Sequence, residues 1–166
     1  MKTIIFVRHA KSSWDNQEWT DFDRPLNKRG FHDAPKMADI FSNKIGLKPV
    51  IYSSTAKRAI TTAEYFADAL QIDKNDINME EAIYHQGMKF INKTIKHLDN
   101  NIIAAMFFGH NPDITSLATF FTGNYFENVP TCGIICIDFE VNSWEEVLNH
   151  NGNLRFFDYP KKYFTS

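Results

Sequence analysis

Three short apolar segments constrain the fold of this chain more strongly than any other feature. Residues 3–7, 50–53 and 102–108 each form a run dominated by large aliphatic and aromatic side chains. Runs of this length and composition are typical of strands that are buried on both faces of a parallel sheet. Stretches with helical spacing lie between and after them. This alternation predicts the α/β class, as a three-layer α/β/α sandwich with a mostly parallel sheet.

The first predicted helix carries the clearest local signals. Asn27 is suited to cap its N-terminus, and apolar side chains recur at helical spacing to about residue 44. Pro35 predicts that this helix starts late or is kinked, because proline lacks an amide hydrogen. The side expected to face the core carries Phe31, Ala34, Met37, Ala38 and Phe41.

Similar patterns predict the remaining elements. Ser54 or Thr55 is expected to cap a second helix that ends near residue 70, and Pro112 is suited to the first turn of a later one. Residues 89–98 also favour a helix. Three further segments have strand character, and the last two are expected to form a hairpin: residues 76–79, 133–139 and 153–157.

Length, composition and charge limit the class of protein. The 166 residues, 43% of them hydrophobic, suit a single domain over residues 1–166. A net charge of −2 leaves no broad positive surface for nucleic acid. No apolar run approaches the roughly 20 residues that span a bilayer. The apolar start resembles a secretory signal, but Arg8, His9 and Lys11 interrupt it. We therefore expect a cytoplasmic protein with no nucleic-acid or membrane partner.

The two cysteines give no indication of a disulfide or a metal site. Cys132 and Cys136 lie in a segment of strand character, where residues four apart share a face but are too distant to bridge. No further metal ligands are evident nearby, and His9, His85 and His110 include no close pair of the His-x-x-x-His type. We expect reduced core thiols, no metal and no cofactor.

The functional signal is the set of residues that follows each apolar strand. Arg8 and His9 follow the first strand, Arg58 lies in the first helical turn after the second, and His110 follows the third. Because the carboxyl ends of parallel strands share one edge of a sheet, we expect these four side chains to converge there. The helices that begin at the same edge would add amide N–H groups and a dipole that favours an anion.

This combination of side chains suits phosphate chemistry. Guanidinium groups match phosphate oxygens, and two of them counter the charge of a phosphate dianion. A neutral histidine can attack phosphorus to form a covalent intermediate, and a second, protonated histidine can stabilise charge on the transferring oxygens. No divalent metal is required if the side chains supply the positive charge.

Three motifs in the same order resemble the histidine phosphatase superfamily, which includes the cofactor-dependent phosphoglycerate mutases. They are Arg-His-Ala-Lys-Ser-Ser-Trp-Asp at 8–15, Ser-Ser-Thr-Ala-Lys-Arg-Ala-Ile-Thr-Thr-Ala at 53–63 and Gly-His-Asn-Pro at 109–112. Ala10 replaces the usual glycine. The small size, the Arg-Pro-Leu at 24–26 and the pair Tyr84-His85 are similar to the short phosphohistidine phosphatases of the SixA type.

The resemblance implies a phosphoglycerate mutase-like fold and a role for each matching residue. It makes His9 the nucleophile, with Arg8, Arg58 and His110 as the phosphate pocket. Glu81, three residues before Tyr84, is the candidate general acid. Four further residues are implied to bind substrate: Ser12, Asp15, Arg24 and Asn111.

Two of these positions differ from patterns in the family. Asn111 stands where some branches carry an aspartate that acts as the acid, and Asp15 stands where many members have a phosphate-contacting asparagine. Asp15 and His85 are therefore alternative proton donors to Glu81. A phosphohistidine substrate would relax the need for any donor, because its P–N bond is labile.

The substrate class stays open at this stage. The chain has no room for the large inserted lid of mutases and phytases, and a shallow pocket would admit a phosphorylated side chain. The leading hypothesis is dephosphorylation of protein phosphohistidine, in a signalling phosphorelay or phosphotransfer system. The alternatives are a phosphatase for small phosphate esters and a non-catalytic phosphate-binding module, so the expected partner is a phosphorylated protein or a small phosphorylated molecule.

Several residues also have simpler interpretations. His9 could be a histidine that merely ends a strand, Arg58 a surface arginine, and His110 a histidine bonded to a turn. Trp14 and Trp19 could cover the core or form a rim around the pocket. The sequence does not determine the oligomeric state.

Overall fold

The structure is a computed structural model that describes residues 1–165. Its strands are β1 (Lys2–Arg8), β2 (Val50–Ser53), β3 (Asn78–Met79), β4 (Ala104–Gly109), β5 (Ile134–Phe139) and β6 (Asn153–Asp158). Its helices are α1 (Lys28–Ile45), α2 (Lys57–Leu70), α3 (Glu81–Gln86), α4 (Met88–Lys96), α5 (Asp113–Thr122), α6 (Trp144–Val147) and α7 (Pro160–Tyr163), with a 3₁₀ turn at Lys74–Asp76.

The strands form one mixed sheet in the order β3-β2-β4-β1-β5-β6. β1 pairs parallel with β4, and β2 pairs parallel with both β4 and β3. β5 runs antiparallel to its neighbours β1 and β6. The α/β sandwich with a mostly parallel sheet is therefore confirmed. Arg8 lies opposite Gly109 and Ser53 opposite Phe108, so three strands end side by side at one edge.

Hydrophobic side chains pack on both faces of this sheet, which makes three layers. Alternate residues of β1 point to opposite faces. Ile5 and Val7 belong to one core with α1 and α2, whereas Ile4 and Phe6 belong to the other with α4, α5 and α6. All four side chains are fully buried. Burial of each aliphatic or aromatic side chain contributes about 1.5–3 kcal/mol, so these two cores fix the strand ends that carry the polar residues.

The first helix differs from its prediction in two respects. The Asn27 side chain accepts a hydrogen bond from the Gly30 amide, as expected of a cap. The helix nevertheless starts at Lys28 and continues through Pro35, so the late start is wrong. Phe31 is 47% exposed, and Asp33 is buried instead. Arg29 and His32 bond the Asp33 carboxylate, which satisfies its charge inside the packed side of the helix.

Other boundaries also shift. α2 begins at Lys57, one or two residues later than expected, with Ala56 as its N-cap, although Ser54 Oγ still accepts a hydrogen bond from the Ala56 amide. Pro112 precedes α5 as its N-cap residue, and α3 was not predicted. β5 and β6 pair as expected, but α6 lies in the connection between them, so they do not form a tight hairpin.

The cysteines are both buried and unbridged, as expected. Cys136 lies within β5, while Cys132 precedes it with a φ of 58°, a conformation that residues other than glycine rarely adopt. In the described part of the chain, every helix is too short or too polar to cross a lipid bilayer.

Candidate active site

The ends of β1, β2 and β4 bring four of the predicted residues to one place. The His9 amide donates to the Gly109 carbonyl at 3.1 Å, and the Ser54 amide donates to the Phe108 carbonyl at 3.0 Å. These bonds extend the parallel pairing beyond the strands. They set the His9 and His110 rings 5.2 Å apart, and they set Arg58 Nε 3.3 Å from His9 Nε2.

His9 is held in one tautomer. Its Nδ1 lies 2.7 Å from the Ala10 carbonyl, which can only accept, so Nδ1 carries the proton and Nε2 keeps its lone pair. Burial lowers the pKa of His9 well below its usual value, and the charges of the other basic residues around the ring lower it further. The Nε2 lone pair accepts a hydrogen bond from Arg58 Nε at 3.3 Å, and once a phosphate group takes over this donor, the neutral imidazole is the form that can attack phosphorus.

His110 is fixed by a second hydrogen bond, to Ser54. Its Nε2 lies 2.8 Å from Ser54 Oγ. Ser54 Oγ accepts from the Ala56 amide and has a hydrogen of its own to donate; when it donates that hydrogen to Nε2, the His110 proton is on Nδ1. Nδ1 is buried and has no hydrogen-bond partner within residues 1–165. In this tautomer, Nδ1–H is a donor for which the described residues supply no acceptor.

His110 has a lowered pKa, so the protonated second histidine that the sequence suggests remains a prediction for the complex with substrate. Burial, followed by the charge of Arg58, lowers the pKa of His110 to about 4. A bound phosphate dianion would raise that pKa, because a nearby negative charge favours the protonated form. His110 therefore becomes protonated only when the substrate binds.

Asp21 is the residue of this site to which the sequence gives no catalytic or binding role, although it is a possible ion-pair partner of Arg24. Its carboxylate accepts hydrogen bonds from Arg24 at 3.0 Å, from Arg58 at 3.0 Å and from the Tyr84 hydroxyl at 2.7 Å. Its carbonyl accepts from Arg58 Nη1 as well. Partial burial alone would raise the pKa of Asp21, but the hydrogen bonds from Tyr84, Arg24 and Arg58 outweigh it and hold that pKa well below its usual range. The carboxylate is thus ionised at neutral pH and fixes both arginines.

Arg24 and Ser12, both predicted to bind substrate, are joined in a buried network. Arg24 Nη1 donates to Ser12 Oγ at 2.7 Å and to the Ser13 carbonyl at 3.2 Å. The Trp14 ring stacks on this guanidinium with 3.6 Å between its centroid and Arg24 Cζ. Trp14 is 70% exposed, so it lies on the rim and does not cover the core.

Arg8 contrasts with the other two arginines. Its Nη1 donates to the Val129 carbonyl at 3.0 Å, whereas its buried Nε has no partner within the described residues. Burial lowers the pKa of Arg8. Its charge lowers the pKa of both His9 and His110, which shows that it lies close enough to act on them.

Three predicted residues lie outside this cluster of contacts. The Glu81 side chain is 68% exposed and lies 3.3 Å from His85. Asp15 is exposed, and its amide bonds Ser13 Oγ. The Asn111 side chain connects the start of α5 to the loop at Val129. Roles for these residues in proton transfer or substrate binding remain predictions.

The charge balance of the cluster favours an anion. The cluster contains three arginines, at positions 8, 24 and 58, and one carboxylate, that of Asp21, which bonds Arg24 and Arg58. Across residues 1–165, no three His, Cys, Asp or Glu side chains form a group that could hold a metal ion. The arrangement combines a neutral nucleophile, preset cations and unused buried donors, which together can bind a phosphate dianion and accept its phosphoryl group.

Comparison with known proteins agrees with this chemistry. The model of the histidine phosphatase superfamily (branch 1) matches residues 4–86. An uncharacterized chloroplastic protein of Arabidopsis thaliana is 32% identical over 165 residues, which cover 91% of this chain and 72% of the relative. Phosphoglycerate mutases match more locally: that of Elusimicrobium minutum is 32% identical over 49% of this chain, and the match spans only 33% of the mutase.

Solved structures give a closer likeness in architecture. A protein of Agrobacterium tumefaciens assigned as the phosphohistidine phosphatase SixA superposes with a TM-score of 0.79 and 25% identity, over 96% of this chain and 98% of the other. The protein histidine phosphatase SixA in complex with tungstate superposes with a TM-score of 0.80 and 18% identity, over the same shares of the two chains. At 18% identity, the second likeness concerns the fold alone.

Proposed function

Because the chain belongs to the histidine phosphatase superfamily, we propose that it removes the phosphoryl group from a phosphorylated histidine of another protein, with His9 as the covalent carrier. One observation carries the proposal. The neutral His9 ring has its proton on Nδ1, fixed by the Ala10 carbonyl at 2.7 Å, and its Nε2 lies 3.3 Å from Arg58 Nε. The nucleophile is therefore oriented beside a cation that can hold the phosphoryl oxygens.

In the first step, His9 Nε2 forms a bond to phosphorus while the bond from phosphorus to the leaving group breaks. Arg58 and Arg8 stabilise the charge that spreads over the equatorial oxygens, and the unused Nδ1–H of His110 donates to one of them. The electron pair of the broken bond moves to the leaving atom. In the second step, water attacks phosphorus, inorganic phosphate leaves, and neutral His9 is restored.

The state of the carboxylates favours a phosphohistidine substrate over a phosphate ester. Asp21 accepts hydrogen bonds from Arg24 and Arg58 and is held ionised, so it has no proton to give to an alkoxide. Glu81 is largely exposed and contacts His85 instead of the cluster. A departing imidazole can take a proton from water on its other ring nitrogen, and it then leaves as a neutral molecule without a protein acid.

The relatives support the same substrate class. The A. tumefaciens protein assigned as the phosphohistidine phosphatase SixA is 25% identical and matches nearly the full length of this chain. The mutases match over only about half of this chain, and a mutase would have to retain its intermediate while the substrate reorients. The exposed rim around Trp14 is better suited to an incoming protein side chain.

A trapping experiment tests the covalent step. The protein is incubated with a protein substrate carrying radiolabelled phosphohistidine, quenched in alkaline denaturant and digested. We expect an acid-labile, base-stable label on the peptide that contains His9, and no label in His9→Ala. Absence of label together with tight binding of inorganic phosphate would instead identify a non-catalytic phosphate-binding module.

A substrate panel tests the leaving group. We expect kcat/KM for a phosphohistidine protein to exceed that for sugar phosphates by at least about a hundredfold, since an alkoxide lacks a proton donor in this site. Equal or faster hydrolysis of sugar phosphates would make the protein a phosphatase for small esters. The whole of residues 1–166 acts as one catalytic unit in this proposal, and its place is cytoplasmic signalling by phosphotransfer.

Metal independence is part of the same proposal. The three arginines supply the positive charge that a divalent ion would otherwise provide. Prolonged treatment with a chelator is expected to leave kcat within about twofold of its starting value, given that no step uses a metal-bound water. Loss of activity that zinc or magnesium restores would overturn this part of the mechanism.

A further inference from the structure

A cavity of about 360 Å³ lies against Arg8 and is lined by four basic side chains. We propose that this cavity is a second anion-binding subsite, which takes the carboxylate of an acidic side chain near the phosphorylated histidine of the substrate. The inference rests on the proposed function and adds a preference among phosphohistidine proteins. Its main lining residues are Arg8, Lys11, Arg29, Lys161, Thr131 and Tyr159.

The protein itself balances only part of the positive charge of the cavity. No acidic side chain is among the described residues that line it. Arg29 bonds Asp33, which lies outside the cavity in the buried side of α1. Lys11 and Lys161 are exposed and form no ion pair within residues 1–165. Several like charges in one concavity repel each other and attract an anion, since low-dielectric walls focus their field.

Arg8 joins this cavity to the catalytic site. Arg8 is the residue immediately before the nucleophile His9 in the chain, and its positive charge lowers the pKa of both His9 and His110. One end of its guanidinium donates to the Val129 carbonyl, while the buried Nε has no partner in the described chain. Because Arg8 is half-buried, its charge is less screened by water than that of an exposed lysine and attracts an anion in the cavity more strongly.

The walls of the cavity are fixed by buried contacts. Asp158 is fully buried, and its carboxylate accepts from Lys44 Nζ at 2.6 Å and from Lys162 Nζ at 3.0 Å, which anchors the segment that carries Lys161. On the opposite wall, the amide of Cys132 donates to the carbonyls of Arg8 and His9 at 3.0 Å each. Little ordering is therefore needed when a ligand binds.

A set of phosphohistidine peptides tests the subsite. A single Glu is moved through four positions on either side of the phosphorylated histidine, and each peptide is compared with its Gln counterpart. We expect at least one Glu position to raise kcat/KM about tenfold over Gln, mainly through KM, the size expected for one charge-assisted hydrogen bond in a partly buried site. Lys161→Gln and Lys11→Gln should each remove most of this preference.

The matched control is Lys96→Gln. Lys96 is also an exposed lysine, but it lies at the end of α4 and lines neither site, so the preference for Glu should be retained. Loss of the preference in Lys96→Gln would mean that net charge of the protein, and not the cavity, attracts the peptide, and would overturn the assignment.

Two other results would count against the subsite, and each is distinct from failure of the proposed function. Equal kcat/KM for the Glu and Gln peptides at every position would overturn the subsite while leaving phosphohistidine turnover intact. The second result is a ratio of kcat/KM for a sugar bisphosphate over its monophosphate that is larger than the ratio for the Glu peptide over the Gln peptide. That result would overturn the carboxylate assignment in favour of a second phosphate. Failure of the proposed function would appear differently, as no turnover of any phosphohistidine peptide.

Discussion

The side chains around the His9 ring form two sets that are built on opposite principles. In the first set, which we call the clamped side, Arg24, Arg58 and Tyr84 all donate to Asp21. In the second set, the open side, Arg8 and His110 each keep a buried nitrogen without a partner in the described chain. The clamped side is satisfied before substrate arrives, whereas the open side is completed by it.

The clamped side therefore orients the catalytic side chains, whereas the open side contributes to binding of the substrate. Fixed hydrogen bonds on the clamped side hold Arg58 beside the nucleophile without reorganisation during the reaction. Unused donors on the open side destabilise the empty site and so increase the gain when an oxyanion enters. The division predicts that stability and activity respond differently to substitutions on the two sides.

The largest effect is expected for substitution of His9. His9→Ala should lower kcat by about ten-thousandfold or more, because the covalent route is lost. Stopped-flow or discontinuous phosphate release measures the loss. The substitution leaves both arginine networks in place, so inorganic phosphate should still bind with an affinity within about tenfold of the parent protein. Substantial residual turnover would show that another nucleophile acts.

Arginine substitutions test the two sides directly. Arg58→Ala should lower kcat/KM by about a hundredfold to a thousandfold, the range for removal of one preset donor to a transition state. It should also lower the free energy of unfolding by about 1–3 kcal/mol, because Asp21 loses a charged partner. Arg8→Ala should also slow turnover but lower the free energy of unfolding less, because the Val129 carbonyl that accepts from Arg8 keeps a second donor, Asn111 Nδ2, and because an unpaired buried nitrogen is removed. Urea denaturation and steady-state kinetics measure both quantities. Equal destabilisation by the two substitutions would contradict the distinction.

Asp21→Asn tests the clamp without removing an arginine. We expect kcat/KM to fall by about tenfold, since Arg58 and Arg24 lose their fixed acceptor, and KM to change less than kcat. The folded pKa of Asp21 lies below its unfolded value, so its contribution to stability is present above about pH 4 and is lost as the pH falls further. The variant should therefore show a weaker loss of stability below about pH 4 than the parent. Identical acid denaturation curves for the two proteins would exclude this role.

The smallest effect concerns pH. The pKa of His9 is lowered by burial and that of His110 is lowered to about 4, so both rings remain neutral through mildly acidic pH. After correction for ionisation of the substrate, kcat/KM should change by less than about threefold between pH 7.5 and 6.5. An acid limb with its midpoint at the ordinary histidine pKa, about 6.5, would contradict the burial of these rings.

The same pKa shifts make a prediction for stability. Both histidines have folded pKa values below their unfolded values, so the unfolded chain binds more protons as the pH falls from about 6.5 toward 4. The free energy of unfolding should decrease over that window, and it should decrease less in His110→Gln. Urea titrations at several pH values measure it.

Much of the fold could be predicted because its signals are local. Continuous apolar runs identify β1, β2 and β4, and helical spacing identifies α1 and α4. The errors have specific causes. Phe31 satisfies the apolar spacing of α1 but is exposed, while Asp33 is buried, where its carboxylate forms an ion pair with Arg29 and contacts the His32 ring. Such pairing depends on the packed helix and is not visible in hydrophobic periodicity.

The part of the candidate site that follows from sheet topology could be predicted from the sequence, and the rest could not. His9, Arg58 and His110 meet because each follows a parallel strand, which the alternation of elements already implies. Asp21 was missed because Asp15, Asp21 and Asp23 all lie in one polar segment without periodicity. Nothing local distinguishes the aspartate that turns toward Arg58 from its neighbours.

Residues that are close along the chain suffice to predict the main strands and helices, the residues at the strand ends and the kind of chemistry that they suit. The neutral state of His110, the ionised state of Asp21 and the unpartnered nitrogens of the open side follow instead from the packed structure. Secondary structure depends on local sequence, whereas protonation and hydrogen-bond satisfaction depend on burial and on groups from distant segments.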